Sequence, residues 1–310
     1  MKIKVIIAAI AAATSTAALA QAVGFATLPP GSLNHTTASA VAKTLKERAG
    51  INMLVQPTAG DNVIIPMVNR GESTMGIANA PETAMAIKEA KQGDVRILAV
   101  AHTLQTAFFV RKDSSLKTIA DMKGKRVALG YSAMRTIDLL TRAMLATAGL
   151  TERDVQAVRV PNVVRSADDF ASGAADMFFF AFGGPKVREV DASIPLRVLD
   201  IDEKGMAAAR KVTPYGFLTQ VQPGPIFIGV EKPMKVYSFD NLFLVNAKVS
   251  DDMVYKILDT LEKNKADLVA VQPVLRAFSA ANGYKKYDMP YHPGALKYYK
   301  EHNIQAKALE

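Results

Sequence analysis

Short apolar runs alternate with stretches of helical periodicity along nearly the whole chain, and this alternation constrains the fold more than any single motif. Apolar runs at 23–27, 51–55, 74–78 and 95–101 read as strands. Between the first two, at 36–49, Ala38, Val41, Ala42 and Leu45 share one helical face while Lys43, Lys46 and Glu47 take the other. Gly50 ends that helix. Asp61 caps a short helix that Pro66 bends, and Pro81 sits in the first turn of another. A second series follows, with strands expected at 106–111, 126–130, 155–160, 175–180, 196–201, 226–230 and 241–246, and helices at 136–148 and 166–171. From Asp251 the pattern is helical with proline breaks. Strand–helix alternation implies mostly parallel sheets flanked by helices, an α/β protein. It occurs twice, in about 21–105 and 111–235, and a length of 310 residues suits two such blocks.

The first twenty residues stand apart. Lys2 and Lys4 precede the apolar run 5–13, and Ala18-Leu19-Ala20 supplies a small-x-small cleavage signal. This is the layout of a secretory signal peptide, cut after Ala20, and it predicts an exported, periplasmic chain. No later stretch is long and apolar enough to insert stably in a membrane. Cysteine is absent, which excludes a disulfide framework, a thiolate nucleophile and a Cys-rich zinc site. The 38 Lys and Arg against 29 Asp and Glu leave a net charge of +9, but the basic residues are scattered. Scattered lysines without interleaved aromatics argue against nucleic acid as a partner.

In sheets of this kind ligands bind where strands end and helices begin. The first such loop holds Thr27, Gly31, Ser32, Asn34 and His35 just before a helix, where free N–H groups attract anions. Asn79 ends the third strand, and the second ends in the polar run from Gln56 to Asn62. In the second block, Tyr131, Ser132 and Arg135 link a strand to a helix, and Asn162 ends another strand. An Arg at a helix start suits a carboxylate. Of the phenylalanines around Gly183-Gly184, alternation assigns Phe178 and Phe180 to the core and Phe182 to a pocket wall. These eleven residues are the expected ligand-binding set. No catalytic, metal-binding or cofactor-binding set is expected, because GxSxG, HExxH, P-loop and GxGxxG patterns are missing and the four His have no visible partners.

The segments PPGSLNHTTASAVAKTL, VQPTAG, RGESTMGIANAPE, DMKGKRVALG, AGLTERDV, SGAADMFFFAFG, VSDDMVYKIL and PYHPGALKYYKE follow one another over nearly all of the mature chain. In order and spacing this series resembles the TAXI-type substrate-binding proteins of tripartite TRAP transporters. The resemblance implies a two-lobed type II periplasmic binding fold that captures a small solute and delivers it to TRAP membrane permease subunits, without being an enzyme. Many members carry Gly-Gly-Thr-Tyr-Tyr in the first loop, where this chain has Gly31-Ser32-Leu33-Asn34-His35. That departure bears on which solute is bound, an organic acid or amino acid being favoured by the helix-start loops and Arg135. A secreted enzyme on a similar scaffold and a ligand-presenting sensor are the alternatives.

Two lobes require a two-strand hinge, and the apolar runs TAFFVR and NLFLVN supply candidates. The expected division is lobe one at 21–106 plus 243–310 and lobe two at 109–238, with the hinge at about 107–111 and 240–246.

Overall fold

The computed structural model describes residues 23–213 and 216–309. The signal-peptide expectation for residues 1–20 lies outside the described residues. The first block runs β1 (Val23–Thr27), α1 (Leu33–Ala49), β2 (Met53–Pro57), α2 (Asp61–Arg70), β3 (Met75–Asn79) and α3 (Ala80–Lys88). Local chemistry sets these boundaries. Ser32 caps α1 by accepting from the backbone N of His35 at 3.1 Å, and Gly50, at φ 68°, takes the left-handed turn that ends it. Asn79 caps α3 in the same way, accepting from the Glu82 N at 2.8 Å, with Pro81 in the first turn.

A long strand, β4 (Val95–Arg111), leads into the second block: β5 (Arg126–Leu129), α4 (Arg135–Thr147), β6 (Gln156–Arg159), α5 (Val163–Ala171), β7 (Phe178–Ala181), α6 (Pro185–Ser193), β8 (Leu196–Val198), α7 (Met206–Val212) and β9 (Phe217–Val221). A second long strand, β10 (Met234–Asn246), returns to the first block. There α8 (Asp251–Lys263), α9 (Lys265–Val271), α10 (Ala280–Gly283) and α11 (Pro293–Glu301) complete the described chain.

Eight strands form one hydrogen-bonded sheet in the order β2-β1-β3-β10-β4-β7, with β8 on β4 and β9 on β10; β5 and β6 pair separately. Parallel pairing is confined to β2-β1-β3 and β5-β6, whereas β4 and β10 run antiparallel to each other and to their other neighbours. The architecture is therefore α/β with mixed strands. The two long strands cross from one block to the other and change partners on the way. β10 pairs with β9 through Ser238 and with β3 from Asn241 onward. β4 meets β7 only from Thr106 and β8 from Phe109.

Two sequence expectations need correction. The runs 95–101 and 106–111, read as separate strands, are one strand, because the polar residues between them still pair with β10, as in Thr103 with Asp240 and Gln105 with Ser238. The run 226–230 is not a strand. Pro223 and Pro225 remove donors a ladder needs, Gly229 adopts φ 79°, and turn bonds from Phe227 N to Gly224 O and from Val230 N to Phe227 O replace pairing. The true strand there is β9, just upstream.

Two apolar clusters fill the molecule. One centres on Phe25, Phe243, Phe278 and Tyr299, under α1, α8 and α11. The other runs from Ile64 and Leu104 into Phe108, Phe178 and Leu140. Among the described residues no helix is long and apolar enough to cross a membrane.

Candidate functional site

A narrow cavity of about 30 Å³ lies where the two blocks meet. One side is built from the strand ends of the first block: Leu28, Ser32, Leu33 and Asn34 after β1, Asp61 at the start of α2, and Asn79 at the end of β3. The opposite side is apolar and comes from the second block: Met134, Ile137, Val163, Phe179, Phe180 and Ala181. The crossing strands supply the floor with Leu104, Thr106, Phe239 and Asn241.

The polar side holds two hydrogen-bonded pairs. The Asn79 side-chain amide donates to Asp61 Oδ2, while its own oxygen holds the start of α3. Asn241 donates from Nδ2 to Asn34 Oδ1 at 2.7 Å. Asp61 is 1% exposed, and burial, reinforced by the nearby negative charge of Glu82, pushes its carboxyl up to about 8 despite the Asn79 amide.

The blocks touch around the cavity. Met134 precedes helix α4 and offers no side-chain cap. The missing acceptor comes from across the cleft: Glu82 Oε2, on α3, accepts from the Thr136 N at 2.9 Å and from the Thr136 hydroxyl. Asn62 Nδ2 donates to the Ser132 carbonyl and Asn162 Nδ2 to the Ala59 carbonyl, each at 3.4 Å. The Lys186 N, at the start of α6, donates to the Gly31 carbonyl at 3.1 Å. Gly60 lies so close to Ala133 that a β-carbon there would sit 1.8 Å from the Ala133 carbonyl oxygen.

The eleven expected residues divide accordingly. Ser32, Asn34 and Asn79 line the cavity. Thr27 is fully buried at the end of β1 without lining it. Gly31, Ser132 and Asn162 lie at the rim, where they join the blocks. His35 lies half-buried in the first turn of α1, its imidazole titrating lower than usual because of that burial.

Three of the expected residues lie away from this cavity. Tyr131 is 1% exposed and belongs to the core of the second block, its hydroxyl pushed up by burial. Phe182 packs edge-on against Phe109 and Phe227, at 5.3 Å in each case, so the pocket wall falls to Phe179 and Phe180 instead. Arg135 is exposed. It borders a separate outer depression with Asn62, Glu82 and Glu89, because the first turn of α4 points its side chain away from the cavity. No Lys or Arg is among the described residues that line the cavity, so the expected carboxylate clamp is not formed there.

Sequence reasoning missed Asp61 and Asn241 as site residues. Asp61 stood in a loop already marked as polar but read as a helix cap, and Asn241 opens the strand expected at 241–246, away from the C-terminal strand ends where ligands were sought; in the structure it sits inside β10.

The fold is that of the two-lobed type II solute-binding proteins. Two solved structures illustrate it. PhnD1 from Prochlorococcus marinus MIT 9301, in complex with methylphosphonate, is 11% identical, with 92% of this chain and 100% of that chain covered and a TM-score of 0.58. The amino acid ABC transporter substrate-binding protein AbpA from Streptococcus pneumoniae, bound to L-arginine, is 13% identical, with 83% and 95% covered and a TM-score of 0.50. A family profile matches residues 25–302, and the chain belongs to the NMT1-like family.

Proposed function

We propose that this protein is a periplasmic receptor that binds a small solute between two lobes and releases it, chemically unchanged, to a membrane transporter. The observation that supports this most directly is the cavity itself. It is bounded on both sides by different blocks and shut by polar contacts between them, and α4 is capped only when the blocks are together. A helix start that is satisfied only on closure favours the closed form without making it permanent.

In this reading lobe one comprises 21–106 and 243–310, and lobe two 109–238. The partner changes of β4 and β10, near 103–106 and 238–241, support a pivot at the boundary of these lobes, beside the expected 107–111 and overlapping 240–246. Rotation about two strands opens the cleft as a hinge. Export through the cleavable segment ending at Ala20 would bring the receptor to the periplasm, and the two similar solute-binding folds are compatible in architecture. The TAXI-like motif series supports a TRAP-type permease as the recipient.

Native mass spectrometry of the exported protein, followed by mild denaturation, tests the core of this reading by releasing a retained small molecule. Small-angle scattering should then give a smaller radius of gyration with that solute than without it. An unchanged shape, or chemical conversion of the solute, would overturn the receptor assignment. Recovery of the receptor with ABC-type rather than TRAP-type membrane subunits would overturn the choice of transporter alone.

A further inference from the structure

The hydrogen-bonding balance of the cavity says what kind of solute it fits. Several of its donors are engaged by the protein. The Ser32 hydroxyl donates to the Pro29 carbonyl and the Thr106 hydroxyl to the Tyr237 carbonyl, each at 2.7 Å. Asn79 and Asn241 each give one amide hydrogen, to Asp61 and to Asn34. Two acceptors are left over. Asp61 Oδ1 and Asn241 Oδ1 find no hydrogen-bond partner among the described residues, although these residues are 1% and 0% exposed. A buried acceptor left unmatched is costly unless an occupant supplies a donor, and a cation beside Asp61 would draw it from the protonated form that burial favours to the carboxylate. Among the described residues no cationic side chain lines the space to do it.

Resting on the receptor reading above, we propose that the solute presents a protonated amine to Asp61 and Asn241 and lays an apolar body against Ile137, Phe179 and Phe180. An ammonium group is all donor, with three hydrogens to share between two acceptors. The space of about 30 Å³ takes a head group of roughly water size. The apolar body enters while the lobes are parted and is covered by the aromatic wall as they close.

The test uses matched probes on the mature protein, at one pH and salt concentration: phenethylamine, phenethyl alcohol and hydrocinnamate, and isoamylamine, isoamyl alcohol and isovalerate. Calorimetric titration should show each amine binding at least about tenfold more tightly than its alcohol and its carboxylate, a difference expected for one charge-assisted bond in a buried site. Asp61→Asn, which keeps the shape of the side chain, should abolish that preference. Binding and lobe closure by the carboxylates in preference to the amines would overturn the amine assignment and leave the receptor reading standing. So would an amine preference that survives in Asp61→Asn. If no probe binds and the natively purified protein carries no small molecule, the receptor reading falls and the amine assignment with it.

Discussion

Glu82 and Thr136 meet across the cleft, the carboxylate of one capping the helix that the other begins. Neither residue satisfies its partner when the lobes separate. Glu82→Ala removes a charged acceptor from two donors in a buried setting, where such bonds contribute about 1.5–3 kcal/mol. The closed form should therefore lose about tenfold or more in population, and scattering on the solute-free protein should report a larger radius of gyration. Glu82→Gln keeps an acceptor oxygen and should fall between the two. A wild-type scattering profile for Glu82→Ala would count against the contact as a latch.

Gly60 bears on the same motion sterically. Its φ of 176° is extended backbone that any residue adopts, so Gly60→Ala should barely change the melting temperature. The added methyl would nevertheless occupy the position of the Ala133 carbonyl in the closed form. Apparent affinity scales with the fraction of molecules able to close, so solute affinity should drop by about tenfold or more. Calorimetry alongside a melting curve separates the two effects, and a variant that binds normally would show that closure does not need this close approach.

Asp61 gives the protein a pH dependence of definite sign. Its carboxyl titrates near 8 in the folded state against 3.8 as the ordinary value, so between these pH values the folded state holds a proton that the unfolded chain has lost. Stability then falls as pH rises from about 4 toward 8 and levels above that. Comparing wild type with Asp61→Asn isolates this contribution. The melting-temperature advantage of Asp61→Asn should grow across that window and stay constant beyond it. A difference independent of pH would mean that Asp61 is ionised throughout.

The parts of this fold that were legible in the sequence are those set by local chemistry. Ser32 and Gly50 bracket α1, and Asn79 with Pro81 opens α3, because caps and proline act on their own neighbours. Cleft-lining Ser32, Asn34 and Asn79 were legible for the same reason, since strand ends can be read from the pattern. What escaped depended on register and orientation. Whether Phe182 or Phe179 faces the cleft is decided by how β7 lies along β4, with Phe179 opposite Phe108. Whether Arg135 points in or out depends on the rotation of α4, which Glu82 fixes from the other block. Asn241 reaches the cavity only because β10 passes between blocks at that residue, a long-range fact with no local signature.

Arg135 makes a prediction of the opposite kind. As an exposed residue outside the cavity it should contribute little to binding, and Arg135→Ala should change solute affinity by less than about twofold. A larger loss in calorimetric titration would mean that the side chain swings into the cleft when solute is present.

The deepest ion pair lies where the crossing strands are pinned to the C-terminal segment. Asp240, on β10, is 3% exposed and accepts from Lys285 Nζ at 2.7 Å, from the Tyr287 hydroxyl at 2.6 Å and, through its other oxygen, from the Thr103 hydroxyl of β4 at 2.8 Å. Both crossing strands and the segment behind them thus share one carboxylate. Lys285→Met would leave that charge buried with neutral donors only, a situation that costs about 3–5 kcal/mol. At about 2–4 °C per kcal/mol for a protein of this size, the melting temperature should fall by roughly 6–20 °C. Asp240→Asn combined with Lys285→Met removes both charges, and should recover much of the loss while leaving the Thr103 and Tyr287 hydroxyls an amide to bond. A double variant as unstable as Lys285→Met alone would show that the lysine acts through packing of its stem rather than through its charge.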